Sequence, residues 1–73
     1  MYMNTQEKVL GIVQEKLPNL LFKVKLDSGN EIIAYLGGKM KMNKINVLIG
    51  DRVEIILDPA GGKTTNRLIR RLI

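Results

Sequence analysis

The segment Leu17-Pro18-Asn19-Leu20-Leu21-Phe22-Lys23-Val24-Lys25-Leu26-Asp27-Ser28-Gly29-Asn30-Glu31-Ile32-Ile33-Ala34-Tyr35 decides the architecture of this 73-residue chain. At its centre Phe22, Val24 and Leu26 alternate with Lys23 and Lys25. Successive strand residues point to opposite faces, so this alternation reads as a half-buried antiparallel strand. Asp27-Ser28-Gly29-Asn30 then makes a hairpin turn, with Gly29 supplying the positive φ such loops demand. Glu31 to Tyr35, rich in Ile, form the next strand. Upstream, Pro18 fixes a turn and Asn19 tolerates a left-handed backbone. That turn closes the run from Lys8 to Leu17, a first strand with β-branched Val9, Ile12 and Val13. Gly11 within it suits a bulge or sharp bend of the kind small barrels use at their corners.

Downstream the character changes. Gly37-Gly38 break the sheet, and Lys39-Met40-Lys41-Met42-Asn43-Lys44 suit a helix of one or two turns. In such a helix Lys41 and Lys44 share a face, Met40 plugs the end of the assembly, and both Met40 and Met42 read as packing residues. Leu48-Ile49-Gly50-Asp51 turns into a fourth strand, Arg52 to Leu57, with Val53, Ile55 and Leu57 on one face and Pro59 ending it. Residues 60–66 read as a flexible loop, Arg67 to Leu72 as a fifth strand, and residues 1–6 as a flexible arm. Three strands, a helical connector and two more strands make one all-β domain over residues 1–73. That is the element order of an OB-fold, a five-stranded Greek-key barrel with a short helix between strands 3 and 4. An SH3-like barrel is the structural competitor; the position of the connector favours the OB order.

The charge is as polarised as the pattern is regular. Residues 1–38 balance four Lys against four acids, whereas residues 39–73 carry eight bases against three acids and so hold the whole net +5. A neutral half and a cationic half suggest a polyanionic partner. The chain has no Cys and no His, which excludes disulfides and thiolate or imidazole metal sites, and no cofactor is expected. An enzyme is disfavoured: without His or Cys, and with the single Ser28 in a turn, no nucleophile–base pair can be assembled. Asp27, Asp51 and Asp58 sit at turns, where capping explains them. No run approaches the ~20 apolar residues of a membrane span. The first residues lack a secretory or transit pattern, so a reducing cytoplasm is expected, with a plastid or other organelle left open.

The residues themselves are more specific. Leu17-Pro18-Asn19, Phe22-Lys23-Val24, Leu26, Gly29, Ala34, Gly38-Lys39-Met40-Lys41, Asn43, Ile45, Leu48, Gly50-Asp51, Val53 and Pro59 fall in order without a gap. Over roughly residues 7–71 the chain closely resembles bacterial-type translation initiation factor one. The resemblance implies an OB-fold monomer that docks in the aminoacyl (A) site of the small ribosomal subunit. There it would lie against the decoding-site rRNA helix, a nearby rRNA loop and a neighbouring ribosomal protein. It would block premature tRNA entry, cooperate with the other two initiation factors, and make or break no bond. The family commonly has Pro-Tyr-Asp near the end of strand four and Gly-Arg-Ile opening strand five. Here Pro59 precedes Ala60-Gly61, and Asn66 stands for that Gly; Asn can occupy a left-handed conformation as Gly does, so the fold is expected to survive. Asn46 replaces a frequent base and Tyr35 a frequent His, so some rRNA contacts are expected on Lys63 and Arg70 instead.

The expected rRNA-binding set is Lys39, Lys41 and Lys44 from the connector, Arg67, Arg70 and Arg71 from the last strand, with Tyr35 and Lys63. Arg forks onto phosphate or stacks on an unpaired base, which ranks Arg67 and Arg71 above the lysines. Beside this stand plainer readings: Lys23 and Lys25 as a solvated face, Gly37 and Gly38 as backbone necessities, Gly50-Asp51 as a turn, and Phe22 as core. Tyr35 is divided between rim and base contact. Two other functions keep the barrel: a cold-shock-like single-strand binder, weakened by the scarcity of aromatic platforms, and a protein-interaction barrel with an incidental basic tail.

Overall fold

A computed structural model describes residues 7–72, so the expected arm over 1–6 lies outside the described residues. The elements are β1 (Lys8–Leu17), β2 (Leu21–Leu26), β3 (Glu31–Leu36), α1 (Gly38–Met42), β4 (Arg52–Ile56) and β5 (Asn66–Leu72). The strands close into a barrel in the order β1-β2-β3-β5-β4. With α1 between β3 and β4, this is an OB-fold. All pairings are antiparallel except β3–β5, a short parallel seam in which Ala34, Tyr35 and Leu36 face Asn66, Arg67 and Leu68.

β1 belongs to two ladders. Lys8 to Ile12 pair with β4 and Gly11 to Leu17 with β2, so Gly11 and Ile12 are paired on both sides. A Cβ on Gly11 would fall 2.7 Å from both the Lys25 carbonyl oxygen and Val24 Cγ1, so the glycine permits a close backbone approach. The bulge expected there falls instead at Gln14, where the register skips from Val13↔Val24 to Glu15↔Lys23. An extra residue bends the strand and increases its twist, which helps β1 curve between its partners.

The interior is filled as the alternation requires. Val13, Phe22, Val24, Leu26, Ala34, Val53, Ile55 and Leu68 are buried between the walls, and Met40 and Val47 join them from outside the strands. Each of these side chains except the small Ala34 contributes roughly 1.5–3 kcal/mol on burial. Met40 is 2% exposed and plugs the barrel end, whereas Met42 is 81% exposed, which corrects its reading as a packing residue.

α1 ends two residues earlier than its sequence suggests. Lys44 N–H donates to the Lys41 carbonyl at 3.2 Å and Ile45 N–H to the Met40 carbonyl at 3.1 Å. These two bonds make a Schellman motif, with Lys44 in the left-handed position at φ 53. Lys44 therefore lies beyond the helix and does not share a helical face with Lys41.

Asn66 is accommodated without the left-handed conformation open to it. It opens β5 in strand conformation, buried, and holds the preceding loop through its amide rather than through a left-handed backbone. The loop is further organised by the Asp58 carboxylate, which accepts from the Ala60 and Gly62 N–H groups and from the Thr65 hydroxyl. The Leu48–Asp51 turn is closed the same way: Leu48 N–H donates to Asp51 Oδ2 at 2.9 Å.

Candidate nucleic-acid interface

The parallel seam between β3 and β5 positions the candidate site. Ala34, Asn66 and Leu68 point inward and are buried, so the alternation turns Tyr35 and Arg67 outward, side by side in register. Tyr35 is 37% exposed, a rim position with part of its ring open to solvent. Immediately after β3, Gly37 lets β5 pass close: its N–H donates to the Leu68 carbonyl at 2.9 Å. A Cβ there would lie 2.8 Å from that same oxygen and 3.3 Å from Arg67 Cγ. The Arg67 stem thus rests against bare backbone, and the expectation that Gly37 serves the backbone holds.

Between α1 and β5 runs a groove of about 360 Å³, lined by Gly37, Gly38, Lys39, Met40, Arg67, Ile69 and Arg70. Three expected contact residues, Lys39, Arg67 and Arg70, come together on it. Lys41 lies on the helix that forms one wall, and Lys44 just past its end. Among the described residues, Lys39, Lys41, Lys44, Arg67 and Lys63 have no carboxylate within 4.0 Å, whereas Arg70 and Arg71 do. Arg70 Nη2 stands 3.2 Å from Glu54 Oε1, an enclosed oxygen that accepts no hydrogen bond among the described residues. This is a charge contact without hydrogen-bond alignment, between an exposed guanidinium and a mostly enclosed carboxylate. Glu54 therefore restrains Arg70, since its departure would leave the enclosed carboxylate oxygen unpaired.

Arg71 is engaged differently. Its Nη1 donates to the Asn46 carbonyl at 2.9 Å and lies 4.0 Å from Asp51 Oδ2. It ties the segment after α1 to the last strand, so part of its guanidinium has a structural task. Lys63 is not brought to the groove at all. It lines a separate cavity of about 580 Å³ with Lys23, Glu31, Ile33, Leu57 and Asp58, near the start of β3. Lys23 is paired with Glu31 at 3.6 Å, and Arg52 with Asp27 at 2.7 Å, both away from the groove.

The sequence reading missed Glu54 as the restraint on Arg70. The two residues face each other across β4 and β5, but a register shift between Glu54 and Ile55 sets that pairing. Spacing along the chain carries no signal for it. Among the described residues no cluster of three potential metal ligands occurs, and no helix is long and apolar enough to cross a membrane.

Comparison with known proteins bears on what this face meets. A family model described as translation initiation factor 1A / IF-1 matches residues 1–72. The solution structure of translation initiation factor one from the Wolbachia endosymbiont (strain TRS) of Brugia malayi is similar with a TM-score of 0.77 and 40% identity. That match covers 94% of this chain and 80% of the other. The crystal structure of YjeQ from Thermotoga maritima is similar with a TM-score of 0.76 and 25% identity, covering 92% of this chain and 23% of that one. In the second case the likeness is to one portion of a much longer protein.

Proposed function

The chain belongs to the translation initiation factor 1A / IF-1 family, and on that premise we propose that its α1–β5 face docks on rRNA in the A site of the small ribosomal subunit. Docking there blocks early tRNA entry and supports the other two initiation factors, with a neighbouring ribosomal protein completing the contact. The factor acts by occupancy and makes or breaks no covalent bond, in keeping with a family that is not enzymatic in kind. The observation that carries the reading is the meeting of Lys39 and Arg67 on one groove, with Lys41 on the helix that walls it and Lys44 just past that helix, all four free of internal carboxylates among the described residues.

Each phosphate neutralised by such a cation releases counterions, so affinity is tied to salt. Four free cations give a slope of log K against log salt of about −3 to −3.5, and Arg70 steepens it if it leaves Glu54 for phosphate. Arg67 can fork onto one phosphate or lie flat against a base beside Tyr35. A cold-shock-like role is disfavoured, because Phe22 is buried and Tyr35 is the single exposed aromatic among the described residues.

The test is filter binding of the purified chain to isolated small subunits across a salt series. The expected result is tight binding with that slope, and a loss of about ten-fold or more at moderate salt when Lys39 and Arg67 are both changed to Ala. Protection of the decoding-site helix from chemical probes, and competition with A-site tRNA, test the location. Salt-independent binding, or a double variant as tight as the parent, would overturn the proposal.

A further inference from the structure

Met42 is the most exposed large apolar side chain among the described residues, at 81%, and it stands in the middle of the lysine cluster. Its place on α1 follows from helical geometry. Met40 faces the barrel, and Met42, two residues and about 200° further on, faces directly away from it. Lys39 and Lys41 fall on either side of Met42 around the helix. Gly38 lies one turn earlier on the same ridge, and a Cβ there would meet nothing within 4 Å. Helical side chains lean toward the N-terminus over the residue four positions back. The outer face of α1 therefore presents a single exposed apolar side chain, Met42, next to bare backbone at Gly38, with Lys39 and Lys41 flanking it around the helix.

From this arrangement we infer that Met42 is a contact for the face of an unpaired RNA base, with Lys39 and Lys41 holding the flanking phosphates. The inference rests on the docking reading above and adds to it a contact of a different physical kind. A polarizable thioether gains dispersion against an aromatic ring, and a base extruded from its stack presents such a ring. The flanking lysines match the charge of the strand that carries the base. Met40, on the same helix but 2% exposed, serves as an internal reference.

Two measurements on the full chain test it. In filter binding to small subunits, Met42→Gln is expected to weaken affinity about five-fold with the salt slope unchanged, and Met42→Leu to stay within about two-fold of the parent. Lys41→Ala, by contrast, is expected to reduce the slope by about one phosphate equivalent. Gln has nearly the same helix propensity as Met, so the variant retains α1. In the second measurement, dilute hydrogen peroxide is expected to oxidise Met42 well before Met40 in the free protein, read by peptide mass spectrometry, and subunit binding is expected to protect Met42. Equal affinity of Met42→Gln and parent, or equal oxidation of Met42 with and without subunits, overturns this inference alone. Failure of the parent chain to bind overturns it together with the docking reading.

Discussion

Asn66, 4% exposed, directs its whole amide at the backbone. Oδ1 accepts from Asp58 N–H at 2.9 Å, and Nδ2 donates to the Ile33 carbonyl at 3.1 Å and the Gly62 carbonyl at 3.4 Å. It thus joins β3, the end of β4 and the loop between β4 and β5. Asn66→Ala leaves the Asp58 N–H and the Ile33 carbonyl without these partners, at about 1–3 kcal/mol each where water is excluded. A loss of about 2–3 kcal/mol is expected, seen as a lower urea midpoint with an unchanged m-value. Asp58, which also bonds to Asn66, contributes to the acid limb of stability. The Thr65 hydroxyl, then the Ala60 N–H, hold its carboxyl below the usual carboxylate value; desolvation opposes them, and the Gly62 N–H adds a smaller lowering. A group depressed in the folded state contributes its stability in full above its unfolded pKa, near 3.9, and loses it as pH falls through the folded value. Thr65→Val is therefore expected to be less stable than the parent at neutral pH and to approach it as pH falls through the folded value of Asp58. Urea midpoints from pH 7 to pH 2 check this, and two parallel curves would refute the assignment to Thr65.

At the scale of elements, the strands were legible and the helix end was not. Period-two alternation and turn residues place β2, β3 and both hairpins within a residue, because burial of one face and positive φ at Gly29 leave few alternatives. Propensity alone extends the connector helix through Lys44. What stops α1 is the Schellman closure, whose apolar partners Met40 and Ile45 both pack on the core. That contact depends on the barrel being present, so local sequence does not reveal it. A lysine in the left-handed position costs about 1 kcal/mol relative to glycine, partly offset by the freedom glycine gives the unfolded chain. Lys44→Gly is expected to raise stability by about 0.5 kcal/mol while weakening subunit binding and reducing its salt slope by about one phosphate equivalent. Thermal unfolding and filter binding on the same preparation check both halves. Lower stability would mean that Lys44 is held by contacts outside the Schellman geometry.

Over the whole molecule, the amount of positive charge in the second half was plain from composition, but its distribution over the surface was not. Lys39, Arg67 and Arg70 meet because the β3–β5 seam is parallel and lies beside α1, while Lys63, only four residues before Arg67, opens onto another cavity. Closure of the ring likewise needs a strand that serves two neighbours, and Gly11 shows how closely the chain must approach itself there. Its backbone is paired to Leu26 on one side and Val53 on the other, and an added Cβ would fall 2.7 Å from the Lys25 carbonyl oxygen, a rigid ladder atom. Relief requires β1 to move from β2 without leaving β4, which neither ladder permits locally. Gly11→Ala is therefore expected to destabilise the entire barrel by about 1–3 kcal/mol, the range for overpacked sites, despite the usual advantage of Ala over Gly. Urea unfolding followed by circular dichroism, together with amide exchange in β2 and β4, measures it. Exchange should accelerate in both strands by a similar factor, because the strain is shared through β1. Acceleration confined to β2 would mean that the two ladders unfold independently, and that β1 does not couple them.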